Sequence, residues 1–330
     1  MTRLENERVD PVSLTVLERW LEEGERLHQS GKLLEAARYY QRVLAAAPDQ
    51  PRALHLLGLI EYHGDNTLAA VALMERAAQG DPFNSELFND LGLAYERANQ
   101  INDAHRSYAR AVELKPEFVD ALINLGNATG EQGRSAQARA HYEKALTLDR
   151  RDARAHYNLA RHLHELGSHD DAWNYYENVV GLQPDFAQAW VNMAALAQSS
   201  SRARDVIECY RRALECDPYL LEALQGAAQW HSERNEFEPA FDLLMRMGQA
   251  LSAQGRSREA REAYERALRC RRDDADALAA IGYCALQQDD VDTASEYARM
   301  ALRANGDVVQ AHFVHGRVLR ARGTYTEAEA

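Results

Sequence analysis

The chain is short of several things that would point elsewhere. It has four cysteines in 330 residues, and none forms a C-x-x-C pair. Cys209, Cys216, Cys270 and Cys284 all fall in helical patterns, which argues against a disulfide framework or a structural zinc site. No run of about 18 apolar residues occurs, so no membrane span is expected. The first residues, MTRLENERVDP, are too polar for a secretory leader, and a cytoplasmic protein is the expectation. Positive charge is in deficit. The formal net charge of −13 gives the chain no overall field attracting nucleic acid or anionic membranes. Proline and glycine are modest while Leu, Ala, Arg and Glu dominate, a balance that favours helix over strand.

Catalytic motifs are missing too. The glycines of INLGNATGEQGRS, Ile123 to Ser135, suggest a phosphate loop, but the stretch lacks the Lys-Ser/Thr ending and follows no strand. There is no G-x-S-x-G, no H-E-x-x-H and no dinucleotide fingerprint. His312 and His315 share a helix face, but no further ligand set accompanies them; His162 and His164 point apart. No cofactor and no metal is expected.

What the sequence does have is a unit that returns in equal steps. With units starting at Leu17, Pro51, Ser85, Val119, Ala153 and Ala187, position 8 carries Gly24, Gly58, Gly92, Gly126, Ala160 and Ala194. Position 20 carries Ala36, Ala70, Ala104, Ala138, Ala172 and Val206, and position 32 is proline in every unit but one. Small residues recur where two helices must approach closely. Proline recurs where a helix must stop. Gly126 therefore reads as a helix contact and Gly133 as the turn residue between helices. Gly130, at position 12, reads as a mid-helix irregularity that leaves a bare spot on the groove wall.

These residues resemble the tetratricopeptide repeat family over nearly the whole chain. The third unit, SELFNDLGLAYERANQINDAHRSYARAVELKPEF, carries Phe88, Leu91, Gly92, Tyr95, Ala104, Tyr108, Ala111 and Pro116 at the family's positions. The resemblance implies an all-α fold, a right-handed α-solenoid of about nine to ten helix-turn-helix units. The register breaks near 235–240: Leu221 starts a first helix, yet the next unit starts at Phe241, well short of a full step. The expected organisation is an N-terminal extension at 1–16, six units over 17–220, an extra capping helix at 221–234 and a second stack over 235–330. A continuous but irregular stack is the alternative. The last unit stops at its position 22, Ala330, so the chain reads as a fragment whose open end could pack on another copy.

Function is expected in the concave groove, which the first helices line through positions 2, 5, 6, 9, 12 and 13 in the family. Position 6 carries Asp90, Asn124, Asn158 and Asn192. A carboxamide offers donors and an acceptor together, so a column of them can hold a peptide backbone. The series is similar to that of the repeat domain of O-linked N-acetylglucosamine transferase; Asn is also simply frequent at this position in the family. Asn127, Tyr157, Arg161 and His164 are further candidate partner-binding residues. No unit has Lys at position 5, which departs from the family's clamp for chaperone C-termini. The expectation is a non-enzymatic scaffold or adaptor binding a protein or peptide, with no nucleic acid or membrane partner. The alternative is a substrate-recruiting region of a larger enzyme, because the first two units look like bacterial repeats that precede glycosyltransferase or sulfotransferase domains.

Overall fold

A computed structural model describes residues 13–199, 202 and 204–323. Most of the expected N-terminal extension and the second helix of the last unit, with Ala328 and the end at Ala330, lie outside the described residues. The described residues form helices joined by short turns, with no strand among them. They fall into two compact units, Met1–His162 and Leu163–Ala330.

The first unit contains α1 (Leu14–Gln29), α2 (Leu33–Ala46), α3 (Pro51–His63), α4 (Thr67–Gly80), α5 (Ser85–Arg97), α6 (Ile101–Leu114), α7 (Val119–Glu131) and α8 (Ser135–Leu148), and most of α9 (Ala153–Glu165). Its helices pair in chain order. The seam of each pair is a small residue under a large one. A Cβ on Gly92 would come within 2.4 Å of the Tyr108 ring, and one on Gly126 within 2.5 Å of Tyr142. Glycine there lets the ring lie directly on the neighbouring backbone, which buries the tyrosine almost completely. Position 15 turns the chain between the two helices with a positive φ, at Gly31, Asp65, Asn99 and Gly133. Only Gly, Asn and Asp occupy it, the residues that tolerate the left-handed region. First helices are held at their starts by side chains such as Asn84, whose Oδ1 accepts from the Leu87 N–H at 3.0 Å.

The second unit contains α10 (His169–Leu182), α11 (Ala187–Gln198), α12 (Val206–Cys216), α13 (Leu221–Glu233), α14 (Phe237–Ala253), α15 (Ser257–Cys270), α16 (Ala275–Gln287), α17 (Val291–Ala304) and α18 (Val309–Ala321). The register break falls inside it, and α14 carries it. Counted from Leu221, α14 is a second helix. Asn235 supplies the turn with φ 60°, Ala240 is buried at position 20, and Arg246 donates to the Pro218 carbonyl. Arg76 and Arg110 make the same bond to Pro48 and Pro82 in the first unit. Counted from Phe241, α14 is a first helix: Gly248 lies under Tyr264, where a Cβ would stand 2.4 Å from the ring. Ala228 of α13, Phe241 and Leu244 of α14, Ala267 of α15 and Ala277 of α16 share one apolar cluster, so packing runs through the break. With 17 residues, α14 is the longest helix described.

Candidate functional site

The first helices of the first unit are joined by a string of polar side chains. His55 on α3 donates through Nε2 to Asp90 Oδ2 on α5 at 2.8 Å. Asn89 reaches the other carboxylate oxygen of Asp90 at 3.5 Å. Asn124 on α7 donates through Nδ2 to Asn89 Oδ1 at 3.0 Å. The string crosses three helices through positions 5 and 6 of successive units. The offset explains it: position 6 of one unit lies beside position 5 of the unit before. Asn89 is buried and bonded at both ends. Satisfied in this way, a buried carboxamide stabilises the packing; one partner removed, the other is left costly.

The expected site residues are thus distributed among different tasks. Asp90 and Asn124 are half-buried members of the string. Asn127 accepts the Tyr142 hydroxyl at 2.7 Å, which braces α7 against α8. Asn158 turns its Nδ2 to the Arg154 carbonyl of its own helix at 2.9 Å. Tyr157 is half-buried and Arg161 exposed. His164 and Asn192 belong to the second unit and are half-buried. His164 stands 5.8 Å from the His169 ring, edge to face. Burial, followed by that second imidazole, lowers its pKa below the ordinary value. In the first unit, then, the position-6 residues are not a row of free carboxamides. Asp90 and Asn124 bond laterally to the preceding unit, and Asn158 bonds along its helix.

Sequence reasoning passed over Asn89. Its signal was present: a polar residue at position 5, next to a polar position 6, with a polar partner at position 6 of the next unit. Gly130 also differs from its expectation as a bare spot on the groove wall. A Cβ there would meet His162 at 3.5 Å and Ala138 at 3.7 Å, so it faces α8 and α9. His162 is buried, with its Nε2 3.1 Å from the Ser135 carbonyl and its ring tilted against Tyr142 at 6.0 Å.

Around the string the face is mixed. Arg97 lies over the Tyr62 ring at 3.8 Å and pairs with Asp65 at 3.2 Å. Arg154 reaches both Asp120 and Asp152. Among the described residues no group of three His, Cys, Asp or Glu side chains is arranged to hold a metal ion. His312 is occupied by the Gly306 carbonyl at 2.6 Å. No described helix is long and apolar enough to cross a membrane.

Stretches of the sequence, and the fold, have counterparts in known proteins. A peroxisomal targeting signal receptor of Eremothecium gossypii is 30% identical over 130 residues, covering 36% of this chain and 23% of the receptor. The protein CTR9 homolog of Arabidopsis thaliana is 29% identical over 110 residues, covering 32% of this chain and 10% of the homolog. The matched stretches span less than a quarter of either relative's length. Among solved structures, the human IFIT1 dimer with PPP-AAAA superimposes with a TM-score of 0.62 at 16% identity, covering 88% of this chain and 73% of that one. PilW, a type IV pilus biogenesis factor, gives a TM-score of 0.59 at 18% identity, covering 64% and 99%. At such identities the two structures share a fold with this chain and no more. The tetratricopeptide repeat model matches residues 21–85, 89–129, 123–185, 245–308 and 287–330. Helix pairs in regular succession, glycine seams under tyrosines and that match over most of the sequence together place the chain in the tetratricopeptide repeat family.

Proposed function

We propose that the chain is a non-catalytic interaction module, a scaffold or adaptor, which takes an extended segment of a partner protein along the first-helix face of its first unit. The observation that carries this reading is the string His55–Asp90–Asn89–Asn124. Lateral bonds hold these side chains in fixed orientations, so little side-chain entropy remains to be lost on binding. Each Asn124 polar atom has capacity left: Nδ2 carries a second hydrogen and Oδ1 two lone pairs. Tyr157 and the Tyr62–Arg97 stack supply flat surface of the kind that anchors peptides. The peroxisomal targeting signal receptor, by its name, recognises a signal on other proteins, which supports a peptide ligand here.

A peptide array supplies the test. A binder selected on the full chain is titrated against wild type and against Asn124→Ala/Asn158→Ala, with unfolding followed in parallel. Affinity lost from a folded variant supports the face. Unaltered affinity moves the ligand elsewhere.

A further inference from the structure

The second unit has a groove on its first-helix face, between α14 and α16, with Tyr264 of α15 at its base. It encloses about 570 Å³, and Met245, Gln249, Ser252, Asp276 and Tyr283 are among its lining. Lysine, arginine and histidine are absent from that lining. Tyr264 is 4% exposed, and its hydroxyl has no hydrogen-bond partner among the described residues. That oxygen is not sealed in, so the small exposure it keeps opens on the groove. Burial raises its pKa, and the group stays an O–H that can both donate and accept.

The tyrosines of earlier helix pairs show what is missing. Tyr108 donates to Glu96 Oε2 and Tyr142 to Asn127 Oδ1, each at 2.7 Å. Gln198 donates through Nε2 to the Tyr210 hydroxyl at 2.9 Å, and His28 stands 3.5 Å from that of Tyr40. The partner comes from the preceding first helix, at position 12 or, for Asn127, position 9. Before Tyr264 those positions hold Ser252 and Gln249. Serine is too short to make the bond, and Gln249 is exposed with its amide unbonded. The room that Gln198 fills beside Tyr210 is thus part of an open groove beside Tyr264, with the Ser252 hydroxyl as a second unbonded group. A hydroxyl so nearly enclosed is bonded in most native folds.

We propose that this groove takes an asparagine or glutamine side chain of an extended partner segment, its carboxamide standing where that of Gln198 stands beside Tyr210. This rests on the reading of the chain as a binder of extended segments. A carboxamide offers an acceptor to one hydroxyl and donors to the other, and the protein itself satisfies Tyr142 and Tyr210 with that group. A carboxylate serves Tyr108, but here it would enter beside Asp276 with no cation in the lining. An ammonium would find no counter-charge at the depth of Tyr264, where the titratable neighbour is Cys284, a thiol that burial keeps neutral. An aliphatic side chain would leave the hydroxyl as it is.

The test uses acetyl-Gly-Gly-X-Gly-Gly amides with Gln, Leu, Glu or Lys at X, titrated into the full chain and followed by saturation-transfer NMR of the peptide. The Gln peptide should bind about fivefold more tightly than the Leu peptide, the scale of one hydrogen bond, and more tightly than the Glu or Lys peptide. Tyr264→Phe removes only the hydroxyl and should level Gln with Leu. Ser252→Gln supplies the chain's own carboxamide at position 12. It should level them too and raise the melting temperature, because the hydroxyl is then bonded from within. Neither substitution touches the contact of the ring with Gly248. Equal binding of the Gln and Leu peptides by the wild type would overturn the site. So would a Gln preference that survives Ser252→Gln, tighter binding of the Glu or Lys peptide, or no saturable binding of any of the four. Affinity lost in Asn124→Ala/Asn158→Ala bears on the first-unit face alone, whereas the Gln-to-Leu ratio bears on this groove alone.

Discussion

Asn124 donates to Asn89 at 3.0 Å across two first helices, and Asn89 is buried while Asn124 is half-exposed. Asn124 therefore holds the fold, and on the function proposed above the same side chain also serves a ligand. A double-mutant cycle separates the two tasks. Asn89→Ala and Asn124→Ala should each destabilise the chain by about 1 kcal/mol, and the double variant by clearly less than their sum. Urea unfolding measures this. Strict additivity would show that the bond contributes nothing.

Two glycines on first helices give opposite expectations. Gly92→Ala drives a methyl to 2.4 Å from the Tyr108 ring, which must shift out of its seam. A loss of about 1–3 kcal/mol is expected, the scale of overpacking. Gly130→Ala meets His162 and Ala138 at ordinary contact distances. It should gain up to about 1 kcal/mol, because alanine is the better helix former. Thermal unfolding of both variants checks the pair; a destabilised Gly130→Ala would mean the helix has no room there after all.

Stability should fall on mild acidification. Burial lowers the pKa of His28, His105 and His141 in the first unit and of His164 in the second. For His141, neighbouring His105, Lys144 and Arg134 add to it. The folded chain binds protons at these sites more weakly than the unfolded chain does. Stability is therefore full above the unfolded histidine value of about 6.5 and declines as pH falls below it. Urea midpoints at about pH 7.5 and about pH 5, on either side of that value, should show the drop, and His141→Gln should reduce it.

The cysteines should divide by reactivity. Burial pushes the Cys209 thiol up to about 12 and the Cys284 thiol up to about 11. Cys216 and Cys270 are only half-buried. A thiol reagent added to the native chain should modify Cys216 and Cys270 first, with Cys209 and Cys284 reacting only on unfolding. Mass spectrometry of the labelled peptides reads the order.

The helix pairs were legible in the sequence because their causes are local and repeated. Gly126 needs to be small under Tyr142, Gly133 needs its positive φ, and both needs recur in unit after unit. The candidate site was only half legible. Position 6 stood out as a series, but a series does not reveal what each member touches. Asn124 and Asn158 share a position and differ in partner, because Asn89 exists before one, while the other reaches back to the Arg154 carbonyl.

Helix α14 makes the break in register a matter of grammar: one helix closes a sentence and opens the next. Its first half answers to Leu221 and its second half to Phe241. Removing the segment 221–240 would therefore join Leu220 directly to Phe241 and restore an unbroken register from Leu17 onward. Such a shortened chain should fold, with Gly248 still beneath Tyr264, and would carry its later repeats in the same phase as its earlier ones. The natural chain, by keeping that segment, holds one repeating pattern in two phases.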